Sequence, residues 1–131
     1  MSNPARIPPV LDHAAFVQLG AALSHDKMRE LVALFAWETE LYLTQIASRR
    51  GEGDLESVAR LSRNIVSVAG NLCAMRASAL ARQLERACRN GEKANSYHLI
   101  GEMSQACRDA SEEMQAWLKG QPKSPCPFDD Q

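Results

Sequence analysis

Leu55, Val58, Leu61, Ile65, Val68 and Leu72 follow one another at steps of three and four residues between Asp54 and Ala74. That spacing gathers them on one face of an α-helix, since a turn closes every 3.6 residues. Alternation with a period of two extends nowhere beyond a few residues, and no internal repeat is visible. A chain of this kind must bury helix faces against other helices.

The neighbouring segments have the same character. Asp12 is a good N-cap for a short helix to about Leu23, whose apolar side is Val10, Leu11, Phe16, Leu19 and Leu23. Ser24 offers a second cap. A long helix is expected from about Asp26 to Arg49, with Met28, Leu31, Leu34, Phe35, Leu41, Tyr42 and Ile46 inward and Trp37 and Leu43 broadening the apolar surface. Arg49, Arg50 and Gly51 give it a basic last turn and a stop. A third helix is expected over Asp54 to about Ala74, and a fourth over Ala77–Arg89, ending on Asn90-Gly91. The fifth, over about Ala94–Lys119, turns Leu99, Met103, Ala106, Ala110, Met114, Trp117 and Leu118 inward. The fold class expected is all-α: an antiparallel four-helix bundle preceded by a short N-terminal helix. Its domain spans residues 10–119, between a flexible N-terminal segment (1–9) and a disordered, proline-containing tail (120–131).

With 131 residues the chain has room for one domain, and aromatic residues at 5% agree with a helical rather than a sheet-rich core. A formal net charge of −1 gives no global field for nucleic acid or an anionic membrane. No apolar run approaches the roughly 20 residues that span a bilayer, and the N-terminus lacks a secretory apolar core. The expected location is the cytoplasm, where Cys73, Cys88, Cys107 and Cys126 stay free thiols. Their wide spacing offers no metal site. No nucleophile elbow, phosphate-cradling glycine loop or dinucleotide fingerprint is present, so neither an enzyme nor a cofactor is expected.

The stretch GDLESVARLSRNIVSVAGNLCA, from Gly53 to Ala74, resembles the central helix of the histidine-containing phosphotransfer (HPt) domain family. Gly53, Asp54, Leu55, Ala59, Ala69, Gly70, Asn71, Leu72 and Ala74 fall on the family pattern. The segment LDHAAFVQLGAALSHDKMRELVALF fits as well, and the likeness covers about Val10–Leu118. Arg63 stands where the family has its phosphoryl-accepting histidine. Val66 replaces the lysine three residues on, Ser67 the glycine after it, and Cys73 the glycine before Ala74.

The resemblance implies a face that docks the receiver domain of a response regulator or a histidine kinase, made here of Ala59, Arg63, Val66, Ser67 and Gly70. Small residues there let a receiver's acidic pocket approach. Imidazole takes a phosphoryl group through a neutral ring nitrogen, whereas a guanidinium stays protonated and has no lone pair for phosphorus. It donates paired hydrogen bonds to carboxylate or phosphate instead. His13, His25 and His98 lack the surrounding pattern. Arg82, Arg86 and Arg89 form a basic stripe that Glu85 interrupts, with no aromatics for base stacking. The function expected is that of a pseudo-phosphotransferase in two-component signalling, which binds a receiver or kinase and alters phosphoryl flow by occupancy. Two alternatives stand beside it: a working carrier that uses another histidine, and a helical interaction module such as a homodimer. Trp37 and Leu43 on the second helix suit the last.

Overall fold

A computed structural model describes residues 7–121. The described residues form helices α1 (His13–Ala22), α2 (His25–Gly51), α3 (Leu55–Asn71), α4 (Met75–Arg89) and α5 (Lys93–Gly120), with no strand among them. Helix α3 packs on α2 and α4, and α5 packs on α4 and α2, which closes an antiparallel four-helix ring. Helix α1 lies against the bundle: Phe16 is fully buried and meets Trp117 of α5 edge to face, with ring centroids 5.2 Å apart. None of these helices is long and apolar enough to cross a membrane.

The helix boundaries follow from local chemistry. Side chains of Asp12, Ser24 and Asp54 accept hydrogen bonds from the backbone N–H three residues on, and so cap α1, α2 and α3. Helices α2, α3 and α4 end in one common pattern: a left-handed residue follows the cap, and two reversed hydrogen bonds close the turn. In α2 Gly53 donates to Arg50 O and Asp54 to Arg49 O, while in α4 Gly91 donates to Cys88 O and Glu92 to Ala87 O. Gly53 and Gly91 both have φ of +72°. The stop expected at Gly51 is thus displaced to Gly53, and Gly51 remains helical. In α3 the same turn is made by Cys73 at φ +65°, with Cys73 donating to Gly70 O and Ala74 to Ala69 O. That turn ends α3 at Asn71 instead of Ala74 and lets α4 start at Met75 instead of Ala77.

The core runs through Met28, Phe35, Ile46, Val58, Ile65, Leu84, Met103 and Met114. Helix α2 corrects the sequence expectation. Its buried line is Met28, Val32, Phe35, Thr39, Leu43 and Ile46, while Leu34, Trp37 and Leu41 are exposed. Helical geometry prefers that unbroken line even at the cost of a threonine, whose hydroxyl donates to Phe35 O at 2.8 Å. Leu43 therefore belongs to the core and not to a surface patch. In α5 Leu99, Met103, Ala106, Ala110 and Met114 are buried as expected and Trp117 and Leu118 are half-buried, while Ser96 and Cys107 are buried as well.

The expected terminal segments are only partly within view. Residues 1–6 and 122–131, including Cys126, lie outside the described residues. Residues 7–9 are not a free lead-in: Arg76 of α4 donates from its backbone to Pro9 O and from its side chain to Pro8 O. Cys73, Cys88 and Cys107 are free thiols, and burial pushes Cys107 up to about 12.

Candidate functional site

Packing on two sides leaves α3 one open arc. Glu56, Arg60, Arg63, Ser67 and Gly70 are exposed at alternating steps of four and three, a straight stripe about 21 Å long at the helical rise. Asn64 and Asn71 border it. Arg63 sits near its middle with 75% of its side chain exposed. Of the five residues expected on this face, Arg63, Ser67 and Gly70 are there.

Ala59 and Val66 are not. Ala59 is completely buried, and Val66 is half-buried against the core. The hydroxyl of Ser78 on α4 donates to Val66 O at 3.1 Å, which marks that edge of α3 as the α4 side. Ala59 lies seven residues earlier on the same edge, where a small side chain serves close helix packing. Ala59 is therefore removed from the face expected to dock a partner. Sequence reasoning placed the stripe one step too far toward α4, because the pattern alone could not tell which flank of α3 a neighbour would cover.

Gly70 presents the opposite case. A Cβ built there would come no closer than 3.7 Å to Ser78 Oγ, an ordinary contact. Helix packing does not require glycine at this position. Glycine nevertheless costs a helix about 1 kcal/mol relative to alanine.

Around Arg63 the structure adds residues that the sequence reading did not single out for the site. Gln45 and Arg49 from α2, Arg60, Arg63 and Asn64 from α3, and Arg89 from α4 line an open groove of about 660 Å³. Arg63 Nη1 is 3.9 Å from Glu85 Oε2 on α4, and Arg89 Nη2 holds the same oxygen at 3.1 Å. Arg49 pairs with Glu52 at 3.1 Å. Arg60 donates to Ser57 Oγ at 3.0 Å, and Ser57 in turn donates to Asp54 Oδ2 at 2.6 Å. Hydrogen bonds from the Ser57 side chain and backbone lower the pKa of Asp54; desolvation opposes them, and the Arg49 and Arg60 charges contribute less. One sequence signal pointed to Arg60: it lies one turn before Arg63. Arg49 and Arg89 come from other helices, and only the fold brings them here.

The three histidines lie elsewhere. His13 begins α1 and its Nε2 is 3.0 Å from Glu113 Oε1 of α5. His25 begins α2, and its Nε2 is buried without a partner among the described residues. His98 is on α5, the helix diagonal to α3, with Nε2 3.4 Å from Glu102. None lies on the open stripe of α3. Among the described residues no group of three His, Cys, Asp or Glu could hold a metal ion.

Apart from Glu56 at its start, the surface is thus a row of guanidinium donors and small side chains on one helix, with no imidazole among them. The family model described as Hpt domain matches residues 30–118. No curated protein and no solved structure matches the chain significantly.

Proposed function

Because the chain belongs to the Hpt domain family, we propose that it acts in two-component signalling as a docking partner that does not carry phosphate. Family membership ties it to phosphorelay signalling. The finer reading is that α3 presents Arg63, Ser67 and Gly70, together with Arg60, to a receiver domain or a histidine kinase, and alters phosphoryl flow by occupying that partner. The acting unit is the bundle of residues 10–119, working in the cytoplasm alongside such partners.

The observation that carries this reading is Arg63 itself. By the resemblance it takes the place of the family's phosphoryl acceptor; it projects into solvent at mid-helix, and its contact to a shared carboxylate is long. A guanidinium in that place can enter an acidic pocket and cannot attack phosphorus. Phosphorylation tests it. The purified protein, incubated with phosphorylated receiver or kinase, should acquire no acid-labile phosphate. Labelling at His13, His25 or His98 would instead promote the working carrier.

A second reading rests on a separate surface. Leu34, Trp37 and Leu41 recur on one side of α2, and Trp37 is 64% exposed. Such a stripe suits association of two copies through α2. Sedimentation of wild type and Trp37→Lys would decide: a dimer that the substitution dissociates supports this reading, and a monomer in both discards it.

A further inference from the structure

We propose that the groove beside Arg63 recognises the phosphorylated aspartate of a receiver in preference to the free carboxylate, so that the protein retains the charged partner with its phosphoryl group in place. The inference rests on the docking reading above and adds a preference for one state of the partner.

Charge balance at the groove supports it. Arg49, Arg60, Arg63 and Arg89 line it, and among the described residues no carboxylate does. Nearby acids answer these cations incompletely. Arg49 is paired with Glu52 at 3.1 Å, and Glu85 is divided between Arg89 at 3.1 Å and Arg63 at 3.9 Å. Asp54 reaches Arg60 through the Ser57 hydroxyl, and Glu56 stands at the far end of the stripe. Arg63 and Arg60 therefore retain donor N–H groups toward the open groove. A planar guanidinium matches a pair of phosphoryl oxygens with two parallel hydrogen bonds.

A receiver's empty acidic pocket would also attract these arginines, so docking alone does not separate the two states. Phosphorylation replaces the single charge of the aspartate carboxylate with the roughly one and a half to two of a phosphoryl group, a net gain of up to about one, and sets three strong acceptor oxygens at the point that Arg63 would face. The added anion meets donors already in place. No imidazole borders the groove to take the phosphoryl group away. The phosphoryl group would thus meet hydrogen-bond donors in the groove and no imidazole acceptor.

The test uses the full chain and purified receiver domains from the same genome, each in its Mg²⁺ form and in its Mg²⁺–beryllofluoride form, which imitates the phosphoaspartate. Calorimetric titration should find a receiver bound about tenfold or more tightly in the beryllofluoride form, the advantage of charge-assisted hydrogen bonds to the added acceptors. Arg60→Gln/Arg63→Gln should remove that advantage, and because both side chains are exposed the variant should keep its fold, checked by circular dichroism. Equal affinity for the two forms would overturn the preference and leave docking intact. A preference that survives the double substitution would overturn the role of the arginines. Binding of no receiver in either form would remove the docking reading and this inference together. Inorganic phosphate that competes at the concentration of the beryllofluoride receiver would mark a free-anion site and also overturn the proposal.

Discussion

Arg63 and Glu85 stand 3.9 Å apart across the α3–α4 seam, and the same Glu85 oxygen is held more closely, at 3.1 Å, by Arg89. Arg63 is therefore the loosely held member of this trio. With 75% of its side chain in solvent, it loses little by leaving Glu85 for a partner's carboxylate or phosphate. An arginine fixed in a bidentate internal pair would not be available in this way.

Gly70 separates the needs of the fold from those of the surface. Its missing Cβ is not demanded by any neighbour, so Gly70→Ala should stabilise the protein by about 0.5–1 kcal/mol through helix propensity. The same methyl group raises the profile of the proposed docking face, and a longer side chain raises it more. Urea denaturation and receiver titration on Gly70→Ala and Gly70→Gln should move in opposite directions. Loss of stability in Gly70→Ala would show that the glycine serves packing after all.

Cys73 makes a turn that Gly53 and Gly91 make elsewhere in the same chain. A side chain in the left-handed region costs about 1–2 kcal/mol. Cys73→Gly should accordingly raise stability by about 1 kcal/mol, with part of the gain offset by the more flexible unfolded chain. Thermal unfolding of the two proteins at equal concentration measures it. An unchanged or lower midpoint would mean that the half-buried thiol contributes more packing than its backbone conformation costs.

Asp54 predicts a pH dependence with a definite sign. Its folded-state pKa lies below the ordinary carboxylate value of 3.8, chiefly because the Ser57 hydroxyl and backbone N–H bond to the ionised form. The unfolded chain binds the proton more readily, so the stabilisation is complete above the unfolded pKa and is lost as pH falls through the folded one. Asp54→Asn keeps an N-capping side chain but has no proton to bind there. Denaturation curves from neutral pH down to about pH 2.5 should show wild type converging on Asp54→Asn at the acid end, within the range where carboxylates titrate. Parallel curves for the two proteins would rule the contribution out.

How much of this was legible beforehand depends on the kind of information each feature needs. Helix number, the caps at Asp12 and Ser24 and the buried line of α5 follow from local chemistry and spacing, and the chain displays both. Asp54, read as the start of the third helix, proved to be its cap. The rotation of α2 was harder. Leucines sit on two overlapping faces, and the buried one holds Thr39, whose hydroxyl is satisfied by Phe35 O. The α3 face shows the same difficulty: Ala59 and Arg60 are equally good helical neighbours of Arg63, and only the position of α4 buries the first and exposes the second. Arg49 and Arg89 lie far from Arg63 in sequence, so no spacing rule could join them.

Titration of a receiver domain that binds the wild-type protein, against wild type and Arg63→Glu, tests the docking role of Arg63 most directly. If Arg63 enters the receiver's acidic pocket, the substitution sets like charges against each other and should weaken binding by about 2 kcal/mol or more, roughly thirtyfold. Equal affinity of the two proteins for that receiver would contradict it and leave Arg63 a solvated charge outside the interface.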